Sequence, residues 1–191
     1  LCLAGGVLLV LIRDERVAMG WLTKLAIQGT AALIMAWGTA DSISLALWPI
    51  DGLWFVVIVV AILIYTQNIY NFMDGLDGLS GLEGCVVGAV LYVLFAPVSA
   101  TLSILSLSVC AASLGFLVWN VPPAKIFMGD VGAHFLGLIF AWLAVAGEQY
   151  GIPFYVGITP LGNALHRRVL RPQAPRLSPG SFPRRRHRRL A

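Results

Sequence analysis

A run of polar side chains in the middle of the chain combines residue types and spacing that suit phosphate and metal chemistry. Its members recur at every third position: Asn68, Asn71, Asp74 and Asp77. On a helix this spacing stacks side chains along one face, so four polar groups would line one wall at the end of an apolar span. Such an oxygen-rich wall suits Mg²⁺, which binds through one or two carboxylates together with substrate phosphates.

Glycines within the same run help to decide between a site and a simple turn. Gly75, Gly78 and Gly81 interrupt a regular helix and allow another group to approach the backbone. A turn between two spans needs one Asp-Gly pair, whereas this segment has two of them behind paired asparagines. We therefore favour a binding or catalytic site.

A second segment, residues 120–132, contributes another carboxylate. Pro122 and Pro123 end the preceding helix, and the sequence Gly-Asp-Val-Gly then sets Asp130 beside flexible backbone, just before the next apolar stretch. Asp130 can bind a metal there, and Lys125 can contact phosphate oxygens. Taken alone, a Gly-Asp-x-Gly sequence is weak support for a site.

Near the start of the chain, Asp14 and Glu15 form an adjacent acidic pair, and Lys24 follows nine residues after Glu15. Adjacent acids occur at metal and phosphoryl-transfer sites and also in solvated loops, so both interpretations stay open for this segment alone. Three further acids are interpreted as ordinary solvated loop residues: Asp41, Asp51 and Glu148.

The composition indicates the environment in which these residues work. The chain has 191 residues, of which 59% are hydrophobic and 12% charged, and its mean hydropathy is +0.85. A soluble domain carries about a quarter charged residues. This chain has too few to cover a globular surface, so the lipid bilayer is its natural solvent. We predict an all-α fold, a polytopic membrane helical bundle.

The apolar stretches and the loops between them predict the topology. The candidate spans are 1–12, 25–40, 52–66, 82–97, 100–119 and 133–149, judged against a span length of about 17–25 residues. Loops 13–24, 66–81 and 120–132 are separated by two spans each, so an even number of crossings returns them to one face. These loops hold Arg13, Arg16, Lys24 and Lys125. The alternate loops hold no Lys or Arg, which indicates that the first set is cytoplasmic.

The C-terminal segment is basic and rich in proline. Nine of the thirteen Lys and Arg residues lie after residue 166. Such a segment could bind nucleic acid or an anionic membrane surface. In a membrane chain a cytoplasmic flank is the simpler interpretation, so we expect no nucleic-acid partner. Its composition indicates a disordered or interfacial tail.

Residues 68–81 and 120–137, NIYNFMDGLDGLSG and NVPPAKIFMGDVGAHFLG, resemble the polyprenyl-phosphate N-acetylhexosamine-1-phosphate transferases, which form glycosyltransferase family 4. The resemblance covers about residues 10–150 with the spans included, and its first motif is highly specific. NFMDGLDG with PPAKIFMGD is more similar to the branch that initiates O-antigen and common-antigen synthesis than to the phospho-MurNAc-pentapeptide translocase.

The resemblance implies transfer of a sugar-1-phosphate from a UDP-N-acetylamino sugar to undecaprenyl phosphate, which initiates synthesis of a cell-envelope polysaccharide. It implies Mg²⁺ as cofactor and a multi-pass protein of the inner membrane, with its active site facing the cytoplasm. With the spacing arguments above, the expected site is as follows: Asp14, Asp74 and Asp77 are catalytic, Asn68, Asn71, Lys24 and Lys125 bind substrate, and Asp130 binds the metal.

The chain also departs from the family pattern. It begins with Leu1, has Glu15 where the family has a second Asp, and loses the resemblance after about Val156. We expect a partial membrane transferase domain over 1–156, with about five to six spans. An atypical Arg/Pro-rich tail over 157–191 suggests a frameshifted or truncated reading frame. An inactive remnant of such a transferase is the alternative. A transporter ranks last, because a transporter needs acids in the middle of its spans and the acids of this chain lie at span ends.

Overall fold

The computed structural model describes residues 20–39 and 52–154, which form five α-helices and no β-strand. The helices are α1 (Trp21–Thr39), α2 (Gly52–Met73), α3 (Leu79–Phe95), α4 (Ala100–Asn120) and α5 (Gly129–Gly147), and a 3-10 turn follows at Glu148–Tyr150. The predicted all-α fold is confirmed.

Three of these elements are long and apolar enough to cross a bilayer. They are α2 with 22 residues, α4 with 21, and α5 with its 3-10 turn at 22. The apolar helix α3 has 17 residues, at the lower limit of a span of about 17–25 residues. Large apolar side chains, such as Trp54, Ile104 and Val118, are exposed on the outer surfaces of the helices. The chain is that of an integral membrane protein, because only lipid solvates such surfaces well.

Glycines allow the closest contacts between helices. A Cβ atom on Gly137 of α5 would lie 2.7 Å from the Cα of Gln67 and 3.0 Å from the carbonyl oxygen of Thr66, both in α2. A Cβ atom on Gly88 of α3 would lie 2.9 Å from the Cα of Cys110 in α4. Small residues at such contacts let membrane helices approach each other backbone to backbone. They pair α2 with α5, and α3 with α4.

Five helix ends meet at one end of the bundle: the starts of α1, α3 and α5 and the ends of α2 and α4. Three hydrogen-bonded pairs join them: Lys24–Asp130, Gly78–Asn120 and Gly129–Asp74. The prediction that loops 13–24, 66–81 and 120–132 share one face is therefore confirmed for their described parts, which lie at the same end of the bundle.

The helices extend further toward this end than the apolar stretches predicted. Helix α2 continues to Met73 instead of ending at residue 66, and α5 begins at Gly129 instead of residue 133. Lys24 lies in the first turn of α1, not in a loop. The difference arises because hydropathy marks where apolar side chains stop, whereas a helix continues for as long as its backbone hydrogen bonds are satisfied.

The interpretation of Glu148 as a solvated loop acid is wrong. Its side chain is buried, and its Oε1 atom accepts a hydrogen bond from the backbone N–H of Phe154 at 2.6 Å. The chain reverses at Gly151, where φ is +74°, and the Ile152 N–H bonds to the carbonyl of Gly147 at 3.0 Å. This turn folds over the carboxylate, so Glu148 stabilises the chain reversal after α5.

Several predicted features lie outside the described residues. They are the stretch 1–12, the pair Asp14 and Glu15, the loop with Asp41 and Asp51, and the tail 157–191. The domain boundary at residue 156 therefore stays a prediction.

Candidate active site

Asp74 follows the last residue of α2 and is buried, with both carboxylate oxygens engaged. The Ser80 hydroxyl donates a hydrogen bond to Oδ1 at 2.6 Å, and the backbone N–H of Gly129 donates to Oδ2 at 3.2 Å. Ser80 lies in the first turn of α3, and Gly129 is the first residue of α5. A single carboxylate therefore ties together the ends of three helices.

Asp77 lies in the turn between α2 and α3, where its side chain is exposed. Its Oδ2 atom accepts a hydrogen bond from the backbone N–H of Ala124 at 3.0 Å. The predicted stack of four side chains on one helix face is thus wrong for Asp77. Helix α2 ends at Met73, and Gly78 takes a φ of +77° in the turn that follows.

An open cavity of about 780 Å³ lies beside Asp77. Its apolar walls are Leu76, Leu79, Leu82, Leu117, Val121 and Pro122. Pockets for small ligands measure about 300–1,000 Å³, with mostly apolar walls and a few polar groups. Of the two motif aspartates, Asp77 is the one that borders a space of ligand size, whereas Asp74 is held within the protein.

Asn120, the last residue of α4, is fully buried and joins the two motif segments. Its Oδ1 atom accepts from the backbone N–H of Gly78 at 2.9 Å, and its Nδ2 donates to the carbonyl of Ile126 at 2.9 Å. With the bond between Asp77 and Ala124, this side chain fixes the turn after α2 against the loop before α5.

Lys24 and Asp130, at the starts of α1 and α5, form an ion pair. The Nζ atom lies 2.6 Å from Oδ2, and the two side chains are 31% and 49% exposed. One turn further along α5, the Nδ1 atom of buried His134 lies 2.6 Å from the backbone carbonyl of Asp130. The carbonyl can only accept, so Nδ1 carries the proton in this contact. The structure therefore brings together a predicted substrate-binding lysine and the predicted metal ligand.

The two asparagines of the central run take different positions. The Asn68 side chain points toward α1, where Nδ2 donates to Oε1 of buried Gln28 at 3.0 Å and also to the carbonyl of Ile64 at 2.8 Å. Asn71 is half-buried in the last turn of α2, directly before the Asp74 turn. Asn68 joins α2 to α1, so it lies beside the end of the bundle where the helix ends meet and is not part of that cluster.

Lys125 lies in the loop between α4 and α5. Its backbone N–H bonds to the carbonyl of Trp119 at 2.9 Å, and its Nζ atom lies 5.6 Å from the centroid of the Trp119 ring. This cation–π contact holds the charge over the last turn of α4.

A buried polar layer supports the site from behind. The Tyr70 hydroxyl donates to the carbonyl of Ser80 at 2.6 Å, which fixes the residue that in turn holds Asp74. Glu83 lies one turn further along α3 and is also buried. Its Oε1 atom and the Ser113 hydroxyl have no hydrogen-bond partner within the part of the chain that the structure describes.

Comparison with known proteins identifies the family of this chain. The family model of glycosyl transferase family 4 matches residues 1–148, a range that contains every candidate site residue. The chain belongs to glycosyltransferase family 4. The family had been expected from the two motifs around Asp74, Asp77 and Asp130, and that prediction is confirmed.

Curated relatives are similar over a shorter range. The phospho-N-acetylmuramoyl-pentapeptide-transferase of Chloroflexus aurantiacus is 37% identical over 117 residues, which is 60% of this chain and 32% of the relative. The enzyme of the same name from Halalkalibacterium halodurans is 36% identical over 110 residues, 56% of this chain and 34% of the relative. The enzyme from Desulforapulum autotrophicum is 33% identical over 126 residues, which is 57% of this chain and 35% of the relative. The chain spans about a third of the length of these relatives.

Members of glycosyltransferase family 4 are generally metal-dependent, and Mg²⁺ is the ion expected for this chain. Among residues 20–39 and 52–154 no three His, Cys, Asp or Glu side chains cluster as a metal cage. Mg²⁺ usually needs only one or two carboxylates, with the remaining ligands from substrate phosphates and water. Asp130 offers a half-exposed carboxylate and directly follows Gly129, whose backbone N–H bonds to Asp74 in the turn after α2, and one such carboxylate fits the ion.

Four buried polar residues that support the candidate site escaped the sequence reasoning. They are Gln28, Tyr70, Ser80 and Asn120, all buried. One signal was available for Asn120, because an Asn two residues before Pro-Pro stands where the helix must end, and its side chain can bond nearby backbone groups. The other three give no local signal, because their partners lie on other helices or beyond the turn that starts α3.

Proposed function

We propose that the protein transfers a sugar-1-phosphate from a UDP-N-acetylamino sugar to undecaprenyl phosphate, as an initiating step of cell-envelope polysaccharide synthesis. Membership of glycosyltransferase family 4 supports a polyprenyl-phosphate sugar-1-phosphate transferase. The observation that carries the proposal is the meeting of Lys24, Asp74, Asp77 and Asp130 at one end of a membrane bundle. Carboxylates and a lysine at the edge of a bilayer suit a reaction between a water-soluble diphosphate and a lipid phosphate.

In the proposed reaction an oxygen of the lipid phosphate attacks the β-phosphorus of the UDP-sugar. A new P–O bond forms, the bond from the β-phosphorus to the bridging oxygen breaks, and UMP leaves with the electron pair of that bond. Both reactants are anionic, so catalysis consists mainly of positioning and charge stabilisation. Asp14, which lies outside the described residues, is proposed to activate the lipid phosphate.

The structure suggests different roles for the two motif aspartates. Asp77 borders the 780 Å³ cavity, which we assign to the nucleotide of the donor. Both oxygens of Asp74 accept hydrogen bonds from the protein, so we assign Asp74 to holding the turn in place. We assign Asn71, in the last turn of α2, and Lys24, in the first turn of α1, to the substrate phosphates. Asn68 would act indirectly, because its bond to Gln28 orients α1.

Asp130 is the proposed Mg²⁺ ligand, since its carboxylate lies beside the proposed phosphate-binding turn. When bound, the ion would neutralise the diphosphate of the donor and so reduce its repulsion from the acceptor phosphate. In the structure Lys24 neutralises the same carboxylate through the ion pair at 2.6 Å. We therefore expect Lys24 to turn from Asp130 toward a phosphate oxygen as the site fills.

The identity of the sugar separates two candidate functions. The motif sequences favour an N-acetylhexosamine of the O-antigen or common-antigen type. A muramoyl-pentapeptide donor is the second candidate, because the curated relatives reported above are phospho-N-acetylmuramoyl-pentapeptide-transferases. The proposed location is the inner membrane, with the site on the cytoplasmic side, where nucleotide sugars are made.

A UMP-release assay tests both candidates. Membrane vesicles containing the chain would be given undecaprenyl phosphate, Mg²⁺ and either UDP-N-acetylhexosamines or UDP-MurNAc-pentapeptide, with an Asp77→Asn variant as control. We expect UMP release with an N-acetylhexosamine donor and loss of most of it in the variant. Release with the pentapeptide donor alone would favour the second candidate. No release above that of empty vesicles would favour the inactive remnant, to which Glu15 and the tail 157–191 also point.

A further inference from the structure

Lys125 is held in a defined position by the helix that precedes it. Its backbone N–H bonds to the Trp119 carbonyl at 2.9 Å, and its ammonium group lies 5.6 Å from the centre of the Trp119 ring. Two contacts to one residue fix both the backbone and the charge. The ring shields only one side of the ammonium group, so its other N–H donors point away from the aromatic face.

Trp119 is the penultimate residue of α4, one of the three candidate spans. Its side chain is 54% exposed, and the neighbouring Val118 and Ile126 are exposed as well. Tryptophan is enriched where a span leaves the hydrocarbon and meets the headgroup layer. A tryptophan at this end of a span would set Lys125 at the depth of lipid phosphates, with the exposed Val118 and Ile126 available to lipid chains.

The described residues contain two basic side chains, and they have different surroundings. Lys24 contacts Asp130 at 2.6 Å within the convergence of helix ends. Lys125 instead lies over an exposed tryptophan at the bilayer edge. A transferase that joins a water-soluble substrate to a membrane-bound one has two anionic phosphate groups to bind, and the different surroundings of the two lysines suit that division.

We infer that Lys125 and Trp119 form the contact for the phosphate of the acceptor lipid, with the first part of its hydrocarbon chain against Val118 and Ile126. This inference rests on the proposed function, because it names the acceptor. The ligand is a phosphate monoester on a lipid. Its two negative charges attract a lysine at the interface more strongly than the single charge of a phosphodiester headgroup does. The Ala124 N–H, adjacent in the same loop, bonds to Asp77 at 3.0 Å, so a phosphate at Lys125 would lie next to the proposed donor site.

The test measures saturable retention of radiolabelled undecaprenyl phosphate by the full 191-residue chain in nanodiscs of phosphatidylcholine. The variants are Lys125→Gln, Lys125→Arg and Trp119→Leu, with Ile104→Leu on the outer surface of α4 as the matched control. We expect Lys125→Gln to weaken retention about fivefold, and Lys125→Arg and Ile104→Leu to retain the lipid as the parent chain does. Trp119→Leu should give an intermediate loss, since it frees the lysine without removing its charge.

Competition separates the acceptor from ordinary phospholipid. Phosphatidylglycerol in excess should displace little of the bound undecaprenyl phosphate; equal displacement would show a general anionic-lipid contact and overturn the assignment. Unchanged retention of the lipid by Lys125→Gln would overturn the assignment too. So would a Lys125→Gln variant that loses binding of the UDP-sugar while it still binds undecaprenyl phosphate. Size-exclusion profiles of each variant show whether the protein is folded. If Lys125→Gln does not fold, Trp119→Leu keeps the test decisive, because retention equal to that of Ile104→Leu would overturn the contact.

The proposed function and this inference can fail separately. If the parent chain binds the lipid in a Lys125-dependent manner but releases no UMP, the transferase proposal fails and the lipid contact stands. If it releases UMP while Lys125→Gln leaves the KM for undecaprenyl phosphate unchanged, the lipid contact fails and the transferase proposal stands.

Discussion

The Nζ atom of Lys24 and the Oδ2 atom of Asp130 lie 2.6 Å apart, although 106 residues separate them in the chain. Lys24 is in the first turn of α1 and Asp130 in the first turn of α5. Their contact joins α1 to α5, the helix that packs against α2 at Gly137. It also places two residues with separate predicted roles, one for substrate and one for metal, in direct contact.

Asp130→Asn should abolish Mg²⁺-dependent transfer and leave the protein folded. The ion pair is partly exposed, and exposed pairs contribute about 0.2–1 kcal/mol, so the thermal midpoint in detergent should change little. UMP release titrated against Mg²⁺ provides the activity measurement. Unchanged turnover with an unchanged Mg²⁺ requirement would reject Asp130 as the metal ligand.

Asn120→Ala should destabilise the protein although Asn120 is not a predicted ligand. The change leaves the N–H of Gly78 and the carbonyl of Ile126 without their partner, and each unsatisfied buried group costs about 1–3 kcal/mol. Ser108→Ala, which removes a local bond on the exposed face of the same helix, is the control. Thermal melts of both variants are the measurement, and an Asn120→Ala melt equal to that of Ser108→Ala would contradict the linking role.

Gly78→Ala should also destabilise, because the position requires a left-handed backbone. Its φ is +77°, and an added Cβ would lie 3.3 Å from Cδ of Pro122. The left-handed conformation costs a residue with a Cβ about 1–2 kcal/mol. Gly115→Ala in α4, where nothing lies within 4 Å of the added atom, should be neutral or stabilising. The same thermal melts compare the pair, and equal midpoints would show that the turn tolerates a Cβ.

Glu83→Gln should leave the thermal midpoint unchanged or raise it. Glu83 is buried, and its Oε1 atom has no hydrogen-bond partner within residues 20–39 and 52–154. A buried carboxylate is costly unless it is paired, and glutamine keeps the shape without the charge. Glu83→Leu tests whether polarity is needed at all. A clear drop in the midpoint for Glu83→Gln would mean that the native side chain depends on its charge for an interaction that glutamine cannot replace.

Topology can be tested with one cysteine at each end of the bundle. Leu76 in the α2–α3 turn and Val98 in the α3–α4 turn are similarly exposed, at 41% and 42%. In a background without the native cysteines, an impermeant maleimide added to intact cells should label Val98→Cys and not Leu76→Cys. The opposite pattern would place the candidate site on the outer side of the membrane.

The sequence predicted the helices because apolar runs bounded by Gly and Pro specify membrane spans almost by themselves. It also predicted that the three motif loops lie on one face, because crossing a bilayer an even number of times returns the chain to the same side. These are properties of the medium, so a single sequence suffices to find them.

The contacts within the site could not be predicted in the same way. The bond of Asn68 to Gln28 and that of Asn120 to Gly78 join residues 40 and 42 positions apart. Such contacts depend on the register between helices, which close packing at Gly137 and Gly88 determines. The helix period placed Asp77 on the wall with Asn68 and Asn71, because the pattern alone does not show that α2 stops at Met73.

The tight seam between α3 and α4 has a consequence for biosynthesis. Gly84 of α3 lies against Ser113 of α4, Gly88 lies against Cys110, and four residues, 96–99, connect the two helices. Helix α3 is short and carries the carboxylate of Glu83, so on its own it partitions poorly from the translocon into lipid. Helix α4 supplies the surface that packs against Gly84 and Gly88 of α3. The two should therefore leave the translocon together as a helical hairpin, and a ribosome stalled before α4 emerges should leave α3 accessible to water.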